Sequence, residues 1–164
     1  TALRKAEGED AARQWLEDIQ ANDPKEYPKN TSIVQAVADG EIDVGFVNHY
    51  YLFRFLAEEG EGFKARNYYL KGGDPGAIVL VAGAGILDTS NNRENAEKFL
   101  EFLLSTVAQQ YFASQTFEYP LVEGVKINPL LVPLSEIEVP DVDLSQLEDL
   151  EATIELLRDT GVLP

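Results

Sequence analysis

The feature that most narrows the fold is a change of period between residues 42 and 56. Ile42, Val44 and Phe46 alternate with Asp43 and Gly45, the two-residue period of a strand. A few residues on, Leu52, Phe55 and Leu56 recur at helical spacing. The joint between them is the short polar and aromatic run Asn48-His49-Tyr50-Tyr51. A strand that feeds a helix through so short a junction is a building unit of the α/β class.

The same alternation continues along the chain. Ala11, Trp15 and Ile19, with Ala12 and Leu16 beside them, predict an amphipathic helix over 9–21 that Asn22-Asp23-Pro24 ends. Asn30-Thr31-Ser32 opens a short helix with Gln35 placed as in a capping box, Ile33, Val34 and Val37 as its apolar face, and Gly40 where a terminating glycine belongs. Residues 63–70 and 76–82 read as further strands around the turn-rich Gly72-Gly73-Asp74-Pro75-Gly76. Asn91 with Glu94 starts a helix whose face is Ala96, Phe99, Leu100, Leu103 and Val107, and helix continues to about Gln115. Pro120, Pro129, Pro133 and Pro140 predict an extended run over 119–143. A last helix carries Leu147, Leu150, Ile154 and Leu157 and stops at Gly161.

Composition removes several function classes. The 164 residues hold 29 acidic against 13 basic side chains, a formal charge of −16, which repels phosphate backbones and anionic lipid and argues against a nucleic-acid or membrane-surface partner. Cysteine is absent, so disulfides, thiolate metal sites and cysteine nucleophiles are excluded. The single histidine, His49, rules out His-rich zinc sites within the chain, and no GxSxG elbow supports a serine triad around it. Gly83-Ala84-Gly85 lies too far from the next helix for a dinucleotide fingerprint, and the acidic runs lack EF-hand spacing. No two carboxylates show spacing diagnostic of a hydrolase. No apolar run approaches the ~20 residues that span a bilayer. The charged, helix-like start at Thr1 reads as that of a processed chain or a fragment.

Asn48-His49-Tyr50-Tyr51 remains. Phenols titrate near pH 10, so phenolate at neutral pH requires a strongly polarising cation such as Fe³⁺. Neighbouring tyrosines do not share a face of a regular strand or helix, but a strand-to-helix junction can aim both hydroxyls at one point, where open α/β sheets bind ligands. The residues alone leave a second reading open, an aromatic pair in a core, and Tyr68-Tyr69 supplies another such pair behind Asn67.

Tyr27-Pro28-Lys29-Asn30-Thr31, Ile33-Val34, and Gly40-Glu41-Ile42-Asp43-Val44-Gly45-Phe46-Val47-Asn48-His49-Tyr50-Tyr51 together resemble the ferric-iron-binding proteins of bacterial ABC importers. The resemblance continues through Gly83-Ala84-Gly85, the helix Ala96 to Leu104 and Phe117-Glu118-Tyr119-Pro120-Leu121-Val122, and covers nearly the whole chain as the C-terminal half of that family. It implies an α/β, type II periplasmic-binding-protein-like fold in which two lobes close over the ion. Residues 1–80 would form part of the C-terminal lobe, 81–131 would cross to the N-terminal lobe, and 132–164 would return. Tyr50 and Tyr51 would ligate Fe³⁺, and Asn30 and Asn48 would contact a synergistic anion, phosphate or carbonate. His49 would be structural. Further ligands, often a histidine and a glutamate, would come from the family's N-terminal part, so a two-lobe cleft is not complete within 164 residues.

The implied function is a receptor, not an enzyme. It is exported to the periplasm or cell surface (a lipoprotein being one form), monomeric at full length, and delivers ferric iron to an inner-membrane ABC permease. The alternative keeps the fold and changes the ligand to an oxyanion, a polyamine or a thiamine-like solute.

Overall fold

The chain forms seven α-helices, three of them ended directly by a glycine: Gly8 after α1, Gly40 after α3 and Gly60 after α4. The structure, a computed structural model, describes residues 1–164. The helices are α1 (Ala2–Glu7), α2 (Glu9–Ala21), α3 (Asn30–Asp39), α4 (Tyr50–Glu59), α5 (Arg93–Leu103), α6 (Thr106–Tyr111) and α7 (Leu150–Asp159). A π-helical turn, Phe112–Thr116, extends α6, and short 3-10 turns lie at Gly60–Gly62, Pro75–Ala77, Leu134–Glu136 and Leu144–Glu148. No helix is long and apolar enough to cross a membrane.

The chain divides into two compact units. The first comprises residues 1–28, 68–79 and 137–164. Its largely buried Arg4 joins distant segments: Nε meets Glu9 at 2.7 Å, Nη1 donates to Thr153 Oγ1 at 2.9 Å, and Nη2 reaches Asp149 at 3.4 Å. A guanidinium carries five donors in a fixed fork, which is why one arginine can tie α1 to the start of both α2 and α7. Apolar contact comes from Ala12, Ala77 and Leu156, all buried.

The second unit comprises residues 29–67 and 80–136. Its core has two clusters with α4 between them. Val34 and Ala38 of α3 meet Leu52, Phe63 and Ala65 in one, with Tyr51 and Phe55 against it. Phe53, Phe117 and Leu131 form the other, with Tyr50, Tyr119 and Ile127 against it. Leu56 touches both. A helix buried on two sides is apolar around most of its circumference, and that is the composition of Tyr-Tyr-Leu-Phe-Arg-Phe-Leu.

Several sequence expectations need correction. None of 42–46, 63–70 and 76–82 is a strand, and Pro75–Ala77 turns as a 3-10 helix at the edge of the third. A strand is defined by a ladder with a neighbour, and these segments do not supply one another's partners. The face of α2 that is covered runs through Ala12 and Leu16, while Ala11 and Trp15 are exposed. In α3 the capping-box geometry is absent. The helix begins at Asn30, Lys29 occupies the cap position without a side-chain bond, and Gln35 donates instead to Asp39. Gly40 does terminate α3, in the left-handed region at φ 73°, as a C′ glycine should. The apolar face of α5 is only partly covered: Ala96, Leu100 and Leu103 are half-buried, while Phe99 is 58% exposed and Val107, in α6, 74% exposed. Leu147 lies in a 3-10 turn, and α7 starts only at Leu150.

Candidate functional site

The left-handed Gly40 reverses the chain at the end of α3, where the Glu41 amide bonds back to the Ala36 carbonyl at 2.9 Å. Residues 41–48 then return along the helix. Gly45 marks the closest approach, since a Cβ built there would overlap Ile33 Cγ2. Only glycine lets the backbone lie this close. The return path ends at the N-terminus of α3, where the Asn48 amide donates to Asn30 Oδ1 at 3.2 Å. Eighteen residues of separation thus collapse into one hydrogen bond between the two candidate anion-binding asparagines.

From Asn48 the chain enters α4 directly. The Tyr51 amide donates to the Asn48 carbonyl at 3.2 Å, and His49 occupies the cap position. Asn48 Nδ2 donates to the Tyr50 hydroxyl at 3.1 Å. The Tyr50 and Tyr51 rings lie 4.7 Å apart with planes tilted by 38°. Both are half-buried, each rooted in a different cluster of the unit, Tyr50 towards Phe53 and Phe117 and Tyr51 towards Val34 and Leu52. The guanidinium of Arg54, one turn on, sits over the Tyr51 ring at 5.4 Å. The structure therefore brings together all four residues singled out in the sequence: Asn30, Asn48, Tyr50 and Tyr51.

The electrostatics of Tyr50 follow from these neighbours. Burial is the main cause that pushes its phenol above the ordinary value, followed by the hydrogen bond its hydroxyl donates to Tyr51 and the charge Tyr51 would carry. Asn48's amide acts the other way by donating to the oxygen, while Glu118 adds a further upward push. Taking a phenol out of water disfavours its charged form, which is the direction of the shift at Tyr50. No group of three or more His, Cys, Asp or Glu side chains gathers elsewhere to hold a metal.

Tyr68 and Tyr69 behave differently. The Tyr68 side chain is exposed, and the Tyr69 hydroxyl is buried without a hydrogen-bond partner. They belong to the other unit and have no part in this cluster.

Three contributors were not singled out from the sequence. Asn67 Nδ2 donates to the His49 carbonyl at 2.9 Å, the Phe117 carbonyl meets His49 Nε2 at 2.8 Å, and the charge of Glu118 acts on Tyr50. Asn67 and Glu118 are both chemically legible types, but nothing local in the sequence links them to residues 49 and 50.

The chain matches known proteins over nearly its full length. It is 34% identical to the Fe(3+)-binding periplasmic protein of Serratia marcescens over 165 residues, covering 99% of this chain and 48% of that protein. It is 35% identical to the major ferric iron-binding protein of Neisseria meningitidis serogroup B over 162 residues, covering 98% and 49%. Iron uptake protein A1 of Synechocystis is 34% identical over 152 residues, covering 89% and 42%. Iron-bound HitA from Pseudomonas aeruginosa superposes with a TM-score of 0.89 at 34% identity, covering 98% of this chain and 52% of that one. The fold is accordingly that of the type II periplasmic binding proteins, and the chain spans about half the length of these relatives. Residues 1–118 match the family described as bacterial extracellular solute-binding protein, and the chain belongs to that family.

Proposed function

We propose that this chain is the tyrosine-bearing part of an extracytoplasmic ferric-iron receptor that hands its cargo to an ABC permease. The single observation that carries the reading is the convergence of the Tyr50 and Tyr51 phenols, with rings 4.7 Å apart and Asn48 donating to one hydroxyl at 3.1 Å. The ferric relatives and iron-bound HitA point the same way.

In this reading each phenol loses its proton as the Fe³⁺–oxygen bond forms, so two negative oxygens offset part of the ion's triple charge. A synergistic anion, phosphate or carbonate, supplies more. Asn30 and Asn48 receive that anion. Asn30 Oδ1 is already engaged by the Asn48 amide, which leaves its NH₂ as the donor. The N-terminal N–H groups of α3 beside them add a favourable dipole. Residues 1–80 and 132–164 are assigned to the C-terminal lobe and 81–131 to the N-terminal one. The receptor binds and releases; it transforms nothing. It works outside the cytoplasmic membrane, as a monomer at full length.

The test is ligand-dependent stability of the protein expressed from its complete reading frame. Ferric salt with phosphate or carbonate should raise the melting temperature, by the equivalent of about 2.7 kcal/mol at a hundredfold excess over Kd. Molybdate, spermidine and thiamine should not. Stabilisation by one of these and none by iron would replace the ferric reading with another solute.

A further inference from the structure

Resting on the ferric reading, we propose that His49 is the positioning residue of the phenol pair: its Nε2–H, donated to the Phe117 carbonyl, fixes the turn from which Tyr50 and Tyr51 project.

His49 is the hinge point between the irregular run 41–48 and α4, and its backbone is already helical, at φ −53° and ψ −36°. Rotation there would swing both tyrosines, because they are the next two residues. Two polar contacts restrain it. On its backbone, Asn67 Nδ2 donates to the carbonyl at 2.9 Å. On its side chain, Nε2 lies 2.8 Å from the Phe117 carbonyl oxygen. A carbonyl only accepts, so Nε2 carries the proton and the tautomer is set by the contact.

The partner carbonyl is itself held in an unusual place. The π-helical turn Phe112–Thr116 closes with the Glu118 amide on the Phe112 carbonyl, at 3.3 Å, and Phe117 adopts the left-handed region at φ 58° and ψ 35°. Non-glycine residues rarely sit there, and a neighbouring structure must hold them. The Phe117 ring is buried and stacks on Phe53 at 5.2 Å, one turn along α4 from Tyr50. Backbone and ring of Phe117 therefore grip the same helix, one through His49 and one through Phe53. The imidazole meets Tyr50 edge-on at 5.5 Å and lies against Tyr119 at 5.4 Å. Packing alone would need only a ring at position 49, whereas the hydrogen bond needs a donor.

That difference defines the experiment. His49→Phe keeps an aromatic ring and removes the donor, and His49→Gln removes the ring and keeps an N–H at comparable reach. Both are made in the protein from its complete reading frame. Ferric affinity should fall about ten- to hundredfold in His49→Phe, the usual effect of removing a group that orients a metal ligand. It should stay within about threefold of wild type in His49→Gln, with the visible iron band unshifted. Equal affinity in both variants, whether retained or lost, overturns the proposal. Should the Phe variant fail to fold, the Gln variant decides alone, since lost affinity there overturns it and retained affinity supports it. A wild type that binds no iron refutes the ferric reading instead. The positioning claim then rests on hydrogen exchange of the Tyr51 amide without metal, which must quicken in His49→Phe and not in His49→Gln.

Discussion

If two neutral phenols become ferric ligands, binding must expel two protons, and affinity must climb steeply with pH. The perturbation is pH itself. An ordinary phenol titrating near 10 is ionised about once in a thousand at pH 7, so each deprotonation costs about 4 kcal/mol there and the pair about 8. Tyr50 costs more, because burial, the Tyr51 hydrogen bond and charge, and Glu118 hold its pKa up against the opposing Asn48 donor. If each phenol gives up one proton on binding iron, affinity at fixed free Fe³⁺ should rise about a hundredfold per pH unit well below the range in which an ordinary phenol titrates. The assay is competition against a chelator of known protonation constants, with the anion in excess, across pH 5.5–8 (a window set roughly by phenol titration lying well above it). Tyr50→Phe and Tyr51→Phe should each lower the slope to about tenfold per unit, because each removes one releasable proton. A wild-type slope near zero, or one that neither substitution changes, would refute the reasoning.

The same geometry makes other outcomes specific. Asn48→Ala removes the donor that eases ionisation of Tyr50. Ferric affinity should drop about tenfold, the scale of a hydrogen bond to a charged oxygen, as equilibrium competition would show. Gly45→Ala places a methyl against Ile33 Cγ2 and should cost about 1–3 kcal/mol in chemical denaturation while weakening the Asn30–Asn48 contact. Without iron, the raised Tyr50 pKa means the folded state keeps its proton longer than the unfolded chain. That contribution to stability is complete below about pH 10 and is lost as pH rises through the folded value, so melting temperature should decline faster there in wild type than in Tyr50→Phe.

Legibility in the sequence followed the range of the forces involved. Helices α2 and α3 could be read because periodicity and their terminators, Asn22-Asp23-Pro24 and Gly40, act within a few residues. The segments read as strands at 42–46, 63–70 and 76–82 could not be settled the same way, since an alternating pattern records a buried face but not the neighbour whose backbone completes the ladder. Within the site, Asn48 and Tyr50 are two residues apart and their contact is local. Asn30 joins them only because glycine at 45 lets the chain return along α3. The Phe117 carbonyl had no signature at all, being backbone brought 68 residues across by a π-helical turn and a left-handed residue. Side-chain burial likewise depends on what stands opposite, which is why Ala12 and not Trp15 is covered in α2.

The central claim is that two adjacent phenols at the mouth of α4 hold one ferric ion, and light absorption tests it most directly. Protein from the complete reading frame, titrated with ferric salt and the anion, should develop a visible tyrosinate-to-iron band that saturates at one equivalent and vanishes when Tyr50 and Tyr51 are both replaced by phenylalanine. A colourless ferric complex, or a band that survives the double replacement, would contradict it.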